Sequence, residues 1–522
     1  MTPFRLTYST MFQPPEALHA LFQQALVRVR QQIGRSHALH IDGRDLPAAR
    51  AFTKTCPIDV RCELGQFASA GAPEVDAAMQ AAHRAWGAWR RSAWSHRVEL
   101  AHRTANLIEE RVYDIAAAVA LEVGKNRMEA IGEVQEVADF FRIYADDMAR
   151  HAGFELPLPD DPLENYKSRN RSVLKPYGVW GVIAPFNFPF ALSGGPVAAA
   201  LVAGNTVVLK SPSDAPWSGR LLADCIRDAG YPPGVFNFLS GSGREAGKAL
   251  IEHPLLAGVT FTGSYETGMG IYRGFAAGRY PRPAILEMGG KNAAIVTRHG
   301  DLERAALGIV RSGYGLSGQK CSALSRVYVE EPVADELLQR VRAEIARLVV
   351  GDPTARPVQM GPVAHDRAAR DFERYSAQLR AGARVLEGAE RLRGPVFDHG
   401  LYCAPTLAEA DPDHPLFAEE LFLPIVMVAR VPDKEAAMAA ANAVDLGLTA
   451  GMYGNEEELA WFLDNIEAGV TYCNRPQGAT TGAWPGYQPF GGWKGSGSTG
   501  KGIASAYYLP LYLREQSQTI VE

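Results

Sequence analysis

"GVWGVIAPFNFPFALSGGPVAAALVAGNTVVLK", residues 178–210, carries no charged side chain before its final lysine, and its reading decides the fold. An uncharged run of this length is long enough to cross a bilayer as a helix. Pro185, Pro189, Pro196, Asn187, Asn205 and the pair Gly194-Gly195 argue against that, because each break frees backbone polar groups that lipid cannot satisfy. The stretch resolves instead into a strand, "GVWGVIAPF", a helix, "GGPVAAALVAG", and a second strand, "NTVVLKSP". Downstream, "SGRLLADCIRDAG" and "REAGKALIEH" read as helices, and "GVFNFLSG" and "GVTFTGS" as strands. This βαβα order predicts an α/β protein whose parallel sheet is doubly wound, with helices on both faces. Ligands in such folds bind beyond the carboxyl ends of the strands, where "SGSGREAG" and "FTGSYETG" fall. The G-x-G-x-x-x-G run at 241–247 is not the usual dinucleotide fingerprint.

Before that stretch the chain is helical in pattern. A helix, "PEALHALFQQALVRVRQQIG", and a turn-rich arm, "IDGRDL", fill residues 1–50. A long helical region covers about 73–150, with Val134, Val137, Phe141 and Tyr144 on one face of "VQEVADFFRIYADDMA". The Arg-Trp mixture "RAWGAWRRSAWSHR" lies inside this pattern and reads as an amphipathic helix, not a base-stacking strip. A second βα-rich segment occupies 288–475, and the tail "YLPLYLREQSQTIVE" alternates like a strand that needs something to pair with, such as another subunit. The net charge of -5 gives no electrostatic reason to expect nucleic acid or an anionic membrane. The 6 cysteines show neither C-x-x-C nor Cys/His metal spacing, and with no apolar signal core in "MTPFRLTYSTMFQ" they suit a reducing, cytoplasmic setting without a metal site.

The chemistry concentrates in "SGYGLSGQKCSALSR" (312–326), where Cys321 stands between Lys320 and Ser322 in a glycine-rich setting. Free cysteine is usually inert packing. Three further features change that reading: "APFNFP" around Asn187, "AILEMGG" around Glu287 and "EELFLP" around Glu420. With "GQKCSA" they resemble the aldehyde dehydrogenase superfamily. The resemblance spans nearly the whole chain, from "LIEERVYDIAAAVALEVGK" to "QPFGGWKGSGSTGKG". It implies a cofactor domain over 51–287, interrupted near 165–176 by an excursion into oligomerisation strands. It also implies a catalytic domain over 288–475 and a return segment with an oligomerisation strand over 476–522.

The chemistry of an aldehyde supports the same residues. An aldehyde carbon cannot surrender hydride until a nucleophile makes it a tetrahedral alkoxide, which a thiolate does well. The resemblance makes Cys321 that nucleophile, with Asn187 and the Cys321 backbone N–H as an oxyanion hole worth roughly 3–4 kcal/mol per donor. It makes Glu287 the base that activates water against the thioester. It places NAD, with NADP also accepted, against Ala184, Phe186, Lys210, Ser213, Gly243, Phe261, Ser264, Glu420 and Phe422. A carboxylate usually stands where this chain has Ser213, so the sequence departs from strict NAD specificity.

Within the superfamily, "SGYGLSGQKCSALSRVYV" and "TGAWPGYQPFGG" most resemble glutamate-semialdehyde (pyrroline-5-carboxylate) dehydrogenases. That family implies a substrate carboxylate held by Ser322, Gly482 and Ala483, an aliphatic chain flanked by Phe188 and Phe490, and a charged pair, Lys320 and Glu136, near the amino-acid end. It further implies a small-molecule aldehyde as partner, a homo-oligomer of two or more chains, and no fused proline dehydrogenase. Two alternatives stay open on these residues: a dehydrogenase for another semialdehyde or for aliphatic aldehydes broadly, and a non-catalytic member of the fold.

Overall fold

The computed structural model describes residues 6–162, 164–476 and 483–522. Among these, the opening stretch folds as strand Val179–Ile183, helix Ala191–Ala203 and strand Thr206–Lys210. Nearly every residue of that helix is buried, which explains its lack of charge without a membrane. Its glycines permit close approach: a Cβ on Gly194 would overlap Val137 of helix Arg127–Arg150. No helix of the described residues is long and apolar enough to cross a membrane.

Two seven-stranded sheets organise the molecule. In the first, the parallel strands run in spatial order Ala284–Glu287, Leu256–Thr262, Val179–Ile183, Thr206–Lys210 and Phe236–Leu239. The winding therefore reverses between Val179–Ile183 and Leu256–Thr262, and their carboxyl ends open a crevice at that point. The N-terminal arm, read from the sequence as turn-rich, adds antiparallel strands Leu39–Ile41 and Arg44–Leu46 to the other edge, with His40 opposite Phe238. The sequence hides this because the strands are only 3 residues long.

The second sheet places parallel strands Thr406–Glu409, Ile425–Val431, Leu324–Glu330, Asn292–Val296, Thr449–Tyr453 and Val470–Cys473 side by side, with Arg384–Glu387 antiparallel at one edge. The long helical region is divided into Ala72–Trp89, Trp94–Glu110, Val112–Val123 and Arg127–Arg150, so the Arg-Trp mixture straddles a break. Val134, Val137, Phe141 and Tyr144 all face the core.

The C-terminal strand Leu513–Val521 finds its partner in its own chain. It pairs antiparallel with Ser168–Pro176 from Leu513 opposite Pro176 to Val521 opposite Ser168, and Glu155–Leu158 flanks the other side. This three-stranded sheet stands apart from the two large ones.

Candidate active site

Helix Leu302–Tyr314 ends in the turn Gly315–Gly318, where Leu316 (φ 48°) and Ser317 (φ 54°) both adopt left-handed backbone. Non-glycine residues there cost about 1–3 kcal/mol each and persist only where the surroundings fix them. Ser317 Oγ donates to Gly361 O at 2.7 Å, and Gln319 Oε1 accepts from Ala364 N at 2.9 Å. Cys321 follows, just ahead of strand Leu324–Glu330. Asn292 Nδ2 donates to Cys321 O (2.7 Å) and Ala323 O (2.8 Å), while its Oδ1 accepts from Thr449 N (3.0 Å). Two neighbouring strands of the second sheet thus fix the cysteine's peptide through one side chain.

Glu287 arrives from the other sheet, at the carboxyl end of Ala284–Glu287. It is 9% exposed and its Oε2 has no hydrogen-bond partner among the described residues. Burial holds its carboxyl well above the usual range, with the Gly492 backbone N–H pulling the other way. The two glycines after Met288 let the sheets meet: a Cβ on Gly289 would overlap the Glu420 carboxylate, and one on Gly290 would overlap Cys321 O. Gly290 N donates to Glu420 Oε1 at 2.9 Å, and burial pushes Glu420 up to about 7. Cys321 is partly accessible. Its thiol is pushed up to about 12, first by burial and then by Glu420 and Glu287, against the backbone N–H groups of Ser322 and Cys321. One thiol and two carboxylates therefore share an electrostatic neighbourhood at the junction of the sheets. A buried carboxyl with a free oxygen beside a thiol suits proton transfer at Oε2.

Asn187 follows strand Val179–Ile183 and is 2% exposed. On either side of it, Phe186 meets His365 (centroids 4.8 Å) and Phe422 (5.8 Å), and Phe188 receives Lys125 Nζ 3.5 Å from its centroid. Phe422 itself has φ 57°. In the crevice of the first sheet, Ser264 caps helix Tyr265–Ala276 and accepts from Thr267 N, leaving a helix N-terminus suited to phosphate. Lys210 is buried and pushed down to about 8, with exposed Asp214 opposing that shift. Ser213 Oγ donates to Gly241 O at 2.9 Å, and Gly243 lies exposed on the neighbouring turn. A buried lysine, a capped helix end and a carboxylate cradled by glycines fit a dinucleotide.

The sequence model of the "Aldehyde dehydrogenase family" matches residues 46–517. The chain belongs to the aldehyde dehydrogenase family. A 1-pyrroline-5-carboxylate dehydrogenase from Geobacillus thermodenitrificans is 35% identical over 513 residues, 97% of each chain. A crystal structure of 1-pyrroline-5-carboxylate dehydrogenase from Thermus with bound NAD superposes with a TM-score of 0.92 at 35% identity, over 100% of both chains. Proline utilization A from Bdellovibrio bacteriovorus matches with a TM-score of 0.91 at 31% identity, over 96% of this chain and 51% of that one.

In this aldehyde dehydrogenase one expected pairing needs correction. Lys320 does not pair with Glu136, nor is its ammonium directed to the thiol: Nζ donates to Glu129 Oε1 at 2.5 Å, and both side chains are buried. Glu136 instead accepts from Tyr8 at 2.7 Å. Phe261 is buried at the carboxyl end of its strand, in the core cluster that holds Met288 and Phe275. Ala184 continues the sheet, its N–H donating to Lys210 O at 3.3 Å. Ser322 is 5% exposed and Ala483 is 8% exposed. Phe490 is half-buried and exchanges backbone hydrogen bonds with Ile503, while Gly482 lies outside the described residues.

Sequence reasoning missed Asn292, Glu129, and the fully buried pair Lys125–Glu133. Glu133 Oε1 also accepts from Phe190 N (2.9 Å) and Ala191 N (3.1 Å), so it secures the segment after Asn187. Acidic residues at helical spacing on a helix otherwise read as buried were the available signal. Removing one partner of such a pair costs about 3–5 kcal/mol. Lys125→Met is therefore expected to lower the melting temperature and to impair turnover together, measured by calorimetry and an absorbance assay.

Proposed function

We propose that this enzyme oxidises L-glutamate γ-semialdehyde, the open form of 1-pyrroline-5-carboxylate, to L-glutamate with NAD(P). The observation that carries the reading is the full-length likeness to dehydrogenases bearing that substrate's name, joined to a thiol and a buried, unpartnered carboxyl at one site. The Cys321 thiol gives up its proton to solvent water, and its sulfur attacks the aldehyde carbon. The resulting alkoxide is stabilised by the Asn187 amide and the Cys321 N–H. Bound NAD(P) supplies the hydride acceptor that turns the adduct into a thioester. Glu287 Oε2 takes a proton from water as the water oxygen attacks the thioester carbon. Collapse breaks the C–S bond, returns the thiolate and releases the carboxylate product. Ser322, Ala483 and Gly482 would hold the substrate's own carboxylate, and Phe188 and Phe490 its chain. Lys210, Ser213, Ser264 and Glu420 would hold the cofactor.

The substrate is tested by competition between chain ends. Glutamate semialdehyde is expected to exceed hexanal in kcat/KM by at least about 100-fold, near 2.7 kcal/mol. Equal constants would return the assignment to a broad aldehyde dehydrogenase. The cofactor is tested separately. With a serine at 213 and Asp214 exposed, NADP is expected to be used measurably, with NAD preferred. An NAD-to-NADP ratio of specificity constants above about 10⁴, roughly 5.5 kcal/mol, would show that the 2′-phosphate is rejected by other groups. We assign the enzyme to the cytoplasm as a homo-oligomer assembled through the three-stranded sheet. We also assign cofactor binding to the part ending at Glu287, and catalysis to residues 288–475.

A further inference from the structure

Helix Arg127–Arg150 carries Glu129, Glu133, Glu136 and Asp139 at spacings that share one helix face. Each grips a different segment around the site. Glu129 holds Lys320, the residue before Cys321. Glu133 holds the backbone of Phe190 and Ala191 and pairs with Lys125, whose ammonium faces the Phe188 ring. Asp139 accepts from Trp484 Nε1 at 2.7 Å, next to Ala483. Glu136 alone is engaged from the chain's N-terminal segment, by the Tyr8 hydroxyl at 2.7 Å.

Tyr8 is 7% exposed, and its ring is wedged between two of the same segments. It meets Phe188 edge-on (centroids 6.3 Å, 85° between planes) and Trp484 edge-on (5.1 Å, 74°). The segment that carries it is fastened at two more points. Ser9 Oγ accepts from Arg475 at 2.6 Å, and the Arg311 guanidinium lies 4.0 Å from the Phe12 centroid.

We propose that Tyr8 is a positioning residue that sets substrate specificity. By holding Phe188 and Trp484 at a fixed separation, it fits the pocket to a short aldehyde chain ending in a carboxylate. The inference rests on the semialdehyde reading above. Edge-to-face contacts are directional, so a generic apolar side chain does not reproduce them. Trp484 is bonded to Ala483, so its displacement moves the Ala483 N–H assigned above to the substrate's carboxylate. The Cys321 carbonyl is held by Asn292, and Glu287 comes from a strand of the first sheet, neither of which is among the contacts of Tyr8 given above. The effect of losing Tyr8 is therefore concentrated in KM for the carboxylated substrate.

The test measures KM and kcat of the full-length enzyme for glutamate semialdehyde and for hexanal, in wild type, Tyr8→Ala, Tyr8→Leu and Tyr8→Phe. Loss of both ring contacts is expected to raise the semialdehyde KM about tenfold, with kcat within about threefold, and to lower the semialdehyde-to-hexanal ratio of kcat/KM about tenfold. Tyr8→Phe keeps both rings in place and is expected to return the ratio to within about threefold of wild type. If Tyr8→Ala does not fold, Tyr8→Leu, which keeps apolar bulk, carries the same expectation. A ratio that stays at the wild-type value in Tyr8→Leu overturns the proposal, as does an equal loss on both substrates. A wild-type enzyme that does not prefer the semialdehyde overturns the substrate reading instead, and this inference with it.

Discussion

Cys321→Ala abolishes aldehyde oxidation, with a loss on the order of 10⁴-fold or more in kcat, the scale of removing a catalytic nucleophile. Cofactor affinity is expected to stay within about threefold, because Lys210, Ser213 and Ser264 belong to the other sheet and its crevice. The peptide at 321 is held by Asn292 through the Cys321 carbonyl, not through the thiol, so the loop does not depend on sulfur. Calorimetric titration with NAD beside a steady-state assay checks both halves. Residual turnover above about 1% of wild type would move the nucleophile elsewhere. Cys56, Cys225 and Cys403 are poor replacements, since each is buried whereas Cys321 is partly accessible.

Glu287→Gln is expected to lower steady turnover by about 10²–10⁴-fold while preserving a first burst of NADH. The amide keeps the size of the carboxyl and removes the base. The pH dependence follows from burial. The Glu287 carboxyl loses its proton well above the usual range, so the ionised base is scarce at low pH and grows as pH rises. Deacylation should therefore accelerate as pH rises above the ordinary carboxylate range in wild type and lose that slope in the variant. Rapid mixing separates this from acylation, which also rises with pH because the Cys321 thiol stands near 12. A variant that turns over at the wild-type rate would remove Glu287 from the mechanism. A vanished burst would assign it to the thiol's proton instead.

Much of this architecture was legible because its signals are local. Prolines and paired glycines within an uncharged run can only be strand, loop and helix, and Val179–Lys210 folded that way. Cys321, Glu287 and Glu420 stood out through motifs that resemble a known family, and the overlaps at Gly289 and Gly290 give the two glycines of "AILEMGG" a physical reason. What was not legible depends on distance across the chain. Lys320 reaches Glu129 rather than Glu136, and a helix offers both at neighbouring turns, so only packing chooses between them. Tyr8 lies in a segment without periodicity, and nothing near it in sequence announces Phe188 or Trp484. The arm at 39–46 was misjudged for a similar reason: strands this short carry too few alternations to be recognised.

The pairing of Leu513–Val521 with Ser168–Pro176 sets an order of events during synthesis. The earlier strand leaves the ribosome long before its neighbour has been translated. Among the described residues, the later strand follows every strand of both large sheets in sequence. The small sheet is therefore the last β-structure to gain all its strands. A nascent chain that has reached only the second large sheet therefore still lacks the small one, whatever else of the fold has formed.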